Sequence, residues 1–252
     1  MTVPVYLELF SGSGHLSAAL ARAGCYVLLW DIQLGEAYDV RVRKNRSMLL
    51  GWVSVGWILG LHAGLPCTTL SRARDRPGGP PPLRSDAQPW GLDGLRPHDM
   101  QKVQDSNLMT RFITHLLREC KFYGVAWTLE NPATSRLWIL QPIKSLLRMR
   151  GVQTVQCDFC MFSGCFRKRT TFAFWKIDLA VLATFVCRGA PRGICARTKL
   201  PHQQLAGLAS NGQFWTKVAE PYPRKMCNLI ARCYCDVSCA TTAANFDRFL
   251  RR

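Results

Sequence analysis

Acidic residues are scarce in this chain of 252 residues: 16 Asp and Glu stand against 33 Lys and Arg, for a formal charge of +17. Arg outnumbers Lys, and its planar fork of donors suits phosphates and base edges. The imbalance points to a polyanion partner, nucleic acid first. A solvated basic surface is the plainer alternative, because composition alone locates no groove. Long hydrophobic runs are missing as well. The longest, Met48 to Leu61, is broken by Gly51, Ser54, Gly56 and Gly60 and falls short of the roughly 20 residues a membrane span needs. No Gly-Lys-Ser/Thr follows the first glycines, which excludes a P-loop, and no internal repeat is visible. Met1-Thr2-Val3-Pro4 has neither a basic lead-in nor a cleavage site. The 12 cysteines are therefore expected as reduced thiols in the nucleus or cytoplasm, not as disulfides of a secreted chain.

What is present begins with an apolar run, Val3 to Phe10, that meets Ser11-Gly12-Ser13-Gly14 and then a helical stretch, His15 to Gly24. Strand, tight turn, helix is the expected unit. Glycine tolerates positive φ and lets a ligand approach the backbone, and the helix start turns free N–H groups towards it. Ser17 occupies the place of a third glycine, so the dinucleotide fingerprint is incomplete. A second apolar run, Tyr26 to Trp30, ends in Asp31, where dinucleotide folds hold ribose hydroxyls; a turn or cap Asp is the structural alternative.

Further along, Asn45 to Val55 reads as a helix and Trp57 to Ala63 as a buried strand ending at Gly64-Leu65-Pro66-Cys67. A Pro- and Arg-rich segment from Arg72 to about Pro97 is expected to be irregular. Asp105 to Tyr123 has helical periodicity, with Leu108, Phe112, Ile113, Leu116 and Leu117 on one face. Gly124 to Leu129 reads as a strand ending at Glu130-Asn131-Pro132, followed by a helix over Pro142 to Arg150 and strands over Thr154 to Asp158 and Thr170 to Trp175. Strands alternating with helices predict an α/β fold, a doubly wound, mostly parallel Rossmann-like sheet. The expected division is a core over 1–175, a small appended recognition-like region over 176–221, and a C-terminal helix and tail over 222–252. Ligands bind beyond the carboxyl ends of such strands, and the glycine pair, Asp31, Cys67 and Glu130 all fall at strand ends.

A strand-end cysteine beside a basic loop is a candidate nucleophile, and a strand-end glutamate can serve a ring nitrogen. Taken singly, a cysteine is more often core and a glutamate more often solvated. Together, Phe10-Ser11-Gly12-Ser13-Gly14, Pro66-Cys67 and Glu130-Asn131-Pro132, followed by Gly164-Cys165-Phe166-Arg167-Lys168-Arg169-Thr170 and by Pro221-Tyr222-Pro223 through Cys227-Asn228-Leu229-Ile230-Ala231, resemble the motifs of the cytosine-5 DNA methyltransferase family. The chain is most similar to its compact, divergent members, some carried by mobile elements. Thr68 stands where the family has Gln, and the arginine motif departs from the family's Gln-x-Arg-x-Arg form.

The resemblance implies S-adenosylmethionine as cofactor. Phe10 is expected against the adenine, Ser11, Gly12, Ser13 and Gly14 around the methionine part, Asp31 on the ribose and Asp39 at the adenine amine. Ile32, Pro66 and Asn228 are expected to complete that site. Cys67 would attack carbon 6 of a cytosine, Glu130 would bind ring nitrogen 3 and the exocyclic amine, and Arg167 or Arg169 would steady the base. The base must leave the duplex to reach such a cleft, and Ser71, Arg72, Arg74, Arg76 and Arg84 of the loop after Cys67 would hold phosphates. The partner is DNA, with RNA as the alternative; a decayed nucleic-acid-binding domain is the non-enzymatic reading, and a monomer is the default. Cys187, Cys195 and His202 would bind zinc only with a further ligand. Cys157 and Cys160 lack an obvious second pair, and Cys227, Cys233, Cys235 and Cys239 match no closed ligand spacing.

Overall fold

The computed structural model describes residues 5–76, 79–189 and 193–236; Cys239 and the tail beyond residue 236 lie outside them. The strands are β1 (Val5–Leu9), β2 (Val27–Trp30), β3 (Ile58–Gly64), β4 (Ala126–Pro132), β5 (Gln153–Asp158) and β6 (Arg169–Trp175). The helices are α1 (His15–Arg22), α2 (Arg43–Ser54), α3 (Pro97–Phe122), α4 (Gln141–Leu147), α5 (Trp215–Val218) and α6, over 224–236. The fold is α/β, with one six-stranded sheet in the order β2-β1-β3-β4-β6-β5. The first four strands run parallel, and β6 is antiparallel to both of its neighbours. The sheet is therefore mostly parallel and Rossmann-like.

Alternation along each strand sends successive side chains to opposite faces. Leu7 and Leu9 of β1, Leu61 and Ala63 of β3, and Trp127 and Leu129 of β4 pack with α2, α3 and α4. The intervening residues face α1 and α6, where Tyr6, Leu16, Leu20, Phe172, Met226 and Ile230 form the second core. That face is partly polar: Glu8, His62, Thr128 and Glu130 are all buried there. Gly60 and Gly64 of β3 make room for it, since a Cβ would lie 2.7 Å from the Tyr6 ring and 2.6 Å from the Tyr222 hydroxyl, respectively.

Helix α3 starts at Pro97, eight residues before the periodic stretch from Asp105; its first turns are mostly polar and bury only Asp99 and Val103, so periodicity did not mark them. Proline at the first position of a helix gives up only an N–H that would have no partner there. Among the described residues, the segment between β3 and α3 holds one 3-10 turn, Arg72–Asp75, and it is anchored, with Leu83 and Arg84 both buried. No helix among the described residues is long and apolar enough to cross a membrane.

Candidate active site

Phe10, Gly12 and Gly14 all have positive φ, 58°, 48° and 65°, so the chain reverses sharply between β1 and α1. Asp31 holds this turn: Oδ2 accepts the Gly12 N–H at 2.9 Å and Oδ1 accepts the Gln33 N–H at 2.9 Å. A carboxylate accepts about four hydrogen bonds, so two turn contacts leave capacity for a ligand. Glu8 fastens the same turn from beneath, accepting the Ser17 N–H at 2.7 Å and the Ser17 hydroxyl. Burial drives the Glu8 carboxyl up to about 7 against those hydrogen bonds.

A cleft of about 420 Å³ opens beside the turn. It gathers Phe10, Asp31, Ile32, Asp39 and Pro66 of the expected cofactor residues, and adds Trp30, Tyr38, Thr68, Ser106 and Met109. Ser11, Gly12, Ser13 and Gly14 shape the turn without lining the cleft, and Asn228 lies elsewhere, exposed on α6 and accepting from Arg22 at 3.1 Å. Asp39 is ion-paired with Arg41 at 2.9 Å. Burial raises its carboxyl, but the Arg41 hydrogen bonds outweigh that and hold it low. The Trp30 indole N–H and the Ser106 hydroxyl are buried, belong to residues that line the cleft, and have no hydrogen-bond partner among the described residues. Buried polar groups normally find partners, so a polar ligand with an aromatic part fits this cleft.

Cys67 follows β3 by three residues and Glu130 lies near the end of the neighbouring β4, with Gly64 of β3 in register with Glu130. Asn131 ties the two ends together, donating from Nδ2 to the Leu65 carbonyl at 2.6 Å. The Cys67 carbonyl accepts the N–H groups of Leu70 and Ser71, closing a turn that leaves the thiol half-buried. Burial pushes this thiol up; the Lys168 charge opposes that, and Glu130 and Glu220 add to it. Lys168 is fixed by a hydrogen bond to the Ala219 carbonyl at 3.0 Å, with its ammonium 4.7 Å from the Phe159 ring centre.

Glu130 accepts the Thr170 hydroxyl on Oε1 and the Tyr222 hydroxyl on Oε2 at 2.8 Å. The Tyr222 hydroxyl is also 3.1 Å from His62 Nε2, and His62 Nδ1 meets the Thr128 hydroxyl at 2.7 Å. Thr128 in turn meets Tyr234, whose hydroxyl donates to the Leu61 carbonyl at 2.7 Å. Burial drives His62 down to about 3, so it is neutral in this chain. The C-terminal segment thus reaches Glu130 through Tyr222, not the cofactor cleft through Asn228.

The arginines differ most from expectation. Arg167 and Arg169 both pair with the fully buried Asp158, at 3.5 Å and 2.8 Å, instead of reaching Cys67 or Glu130. Arg84 is buried, not on a phosphate-binding surface, and donates to Thr69, Pro89, Val103 and Asn107. Arg72 binds Asp86 and the Thr134 carbonyl, and Arg74 binds the Pro81 carbonyl. Ser71 caps the 3-10 turn, and Arg76 is exposed. His62, inside an apolar strand, gave no chemical signal in the sequence; Thr170 and Tyr222 stand in the two later motifs, but the motifs assigned no role to either. Cys187, Cys195 and His202 come together with Cys160, just beyond β5.

No protein-family model and no curated protein sequence matches the chain. Among solved structures, a methyltransferase of Entamoeba histolytica, EhMeth, is 14% identical with a TM-score of 0.41, over 69% of this chain and 53% of that one. A protein described as a DNA modification methyltransferase encoded within an E. coli prophage is also 14% identical with a TM-score of 0.41, over 82% of this chain and 56% of that one. The chain thus spans about half the length of these structures.

Proposed function

We propose that this chain is an S-adenosylmethionine-dependent DNA cytosine-5 methyltransferase that works through a covalent Cys67 adduct. The observation that carries the reading is the pairing of the Pro66-Cys67 turn with the Glu130 strand end, tied by Asn131 and set beside the Phe10–Asp31–Asp39 cleft. The motif resemblance supplies the substrate.

Phe10, Asp31, Ile32 and Asp39 are the residues that would hold the cofactor, and the Trp30 N–H and Ser106 hydroxyl, without hydrogen-bond partners among the described residues, add a donor and a hydroxyl. When bound, S-adenosylmethionine supplies the methyl group that carbon 5 accepts. Cys67 loses its proton to solvent, with Lys168 favouring the thiolate. The thiolate adds to carbon 6 of an extruded cytosine, and the electron pair of the 5,6 double bond moves to carbon 5. Loss of the carbon 5 proton to solvent then restores the double bond and expels the Cys67 thiolate. Glu130 turns from Tyr222 to the base edge, so the tyrosine holds the carboxylate until a base replaces it.

The decisive experiment is a covalent trap with DNA carrying a 5-fluorocytosine and added S-adenosylmethionine. A stable adduct is expected, absent in Cys67→Ala and in reactions without cofactor. Failure to form one on any duplex or single strand, with adduct on structured RNA instead, would move the substrate to RNA. No adduct on either would leave a nucleic-acid-binding domain.

A further inference from the structure

We propose that Cys160, Cys187, Cys195 and His202 form a structural zinc site that clamps the appended region to the end of β5. The inference is independent of the proposed methyl transfer. The spacing of the last three residues leaves a tetrahedral site one ligand short. The fold supplies that ligand from Cys160, in the 3-10 turn Phe159–Phe162 that follows β5.

One donor atom from each residue lies within 4.8 Å of all the others. A zinc–sulfur bond of about 2.3 Å in a tetrahedron puts neighbouring sulfurs ~3.8 Å apart, so small side-chain shifts close the site. Cys187 Sγ and His202 Nε2 are already 3.6 Å apart. The supporting shell fits metal ligation too. His202 Nδ1 is 2.6 Å from the Gly193 carbonyl, which fixes the proton on Nδ1 and leaves the Nε2 lone pair facing the sulfurs. The Ala196 N–H donates to Cys187 Sγ at 3.3 Å, so this sulfur already serves as an acceptor.

Residues 193–202 form a small loop shaped to present two ligands. Ile194 bridges Pro201, the Cys195 N–H bonds the Leu200 carbonyl at 2.8 Å, and the His202 N–H bonds the Gly193 carbonyl at 3.0 Å. All three cysteines are buried, and among the described residues the apolar side chains packed on them are Met161 and Ala196. Three thiols and an imidazole in such a pocket have poor apolar packing to justify them, whereas three thiolates and an imidazole around Zn²⁺ leave a charge of −1. Binding releases the three thiol protons to solvent. Arg197, which donates to the carbonyls of Cys160 and Gly164, lies beside that charge. A disulfide would use two of the thiols and leave the third cysteine and His202 without a role.

The clamp connects to the Glu130 strand. The Cys187 N–H donates to Asp158 at 2.7 Å, Asp158 pairs with Arg169, and the next residue, Thr170, donates to Glu130. A metal at this point stiffens both the appended region and the start of β6.

The test is metal analysis of the full chain, purified under reducing conditions without a metal-affinity tag. About one zinc per chain is expected. Cys195→Ser and His202→Ala should weaken zinc binding by at least about tenfold, while Cys165→Ser, at an exposed thiol nearby, retains it. If the ligand variants fail to fold, cobalt(II) replacement in the unaltered chain gives an independent readout: intense thiolate-to-cobalt absorption that zinc abolishes. A metal-free chain with 12 titratable thiols, full zinc retention in both ligand variants, or iron in place of zinc would each overturn the proposal.

Discussion

Glu8 is a carboxylate in the middle of an apolar strand, and its environment sets a pH dependence for folding. Its folded value is raised from an ordinary 4.5 to about 7, so the folded chain binds this proton more tightly than the unfolded chain does. The associated stability is complete below about 4.5 and is lost as pH rises to about 7, on the order of 3 kcal/mol in total. Glu8→Gln should flatten that decline; denaturant melts at a series of pH values measure it, and equal slopes in the two proteins would contradict it. Lys168 acts on Cys67 in the opposite sense. Its charge holds the thiol below where burial alone would put it, so Lys168→Met should move the onset of Cys67 alkylation to higher pH. Peptide mass mapping after brief alkylation reads this directly, without any assumption about substrate. Neither effect is visible along the chain, because Ser17, Asp31 and Ala219 reach these groups only after folding.

Elements, not single residues, decide what the loop after β3 does. Its arginines look free in sequence, but acids and carbonyls from the loop itself and from the segment after β4 engage most of them. Arg136, buried after β4, pairs with Asp75 at 2.7 Å and Asp86 at 3.1 Å and so pins the loop. Arg84 is pinned more deeply. Burial, then the charge of Arg136, lowers its guanidinium to about 10, and no carboxylate pairs with it among the described residues. Arg84→Ala would leave several buried acceptors unpaired and a cavity, at a cost of roughly 2–4 kcal/mol. Arg76→Ala, at an exposed position, should stay within about 0.5 kcal/mol. Thermal melts of both variants check the contrast, and an Arg84→Ala protein as stable as the parent would refute the buried role. That this segment holds little regular structure was legible from its prolines and glycines; the anchoring of its described residues through Arg84 and Arg136 was not, since the partners of these two lie up to 61 residues away in sequence.

At the scale of the whole molecule, the sequence carries a formal charge of +17. Nucleic-acid association is expected to weaken as salt rises, with a log–log slope of about −0.9 for each phosphate neutralised on a duplex. A slope near zero in a fluorescence titration would remove the polyanion partner. Cys67→Ser should leave this slope unchanged while abolishing adduct formation, which separates binding from chemistry. The zinc clamp belongs to this scale too, because it joins residues from the end of β5 to residues 186–203, which periodicity leaves without a regular element.

Sequence by itself determined the α/β alternation, every strand of the sheet to within a few residues, and the strand-end placement of Phe10, Asp31, Cys67 and Glu130. Those features are local: apolar runs, glycine turns and helical periodicity act over a few neighbours. Tertiary structure alone decided the antiparallel pairing of β6 with β4, the capture of Arg167 and Arg169 by Asp158, the burial of Arg84, the Glu130–Tyr222–His62 chain and the arrival of Cys160 beside Cys187, Cys195 and His202. Each of these depends on which desolvated polar group finds a partner from a distant segment, and burial makes that pairing compulsory only once the sheet has brought the segments together.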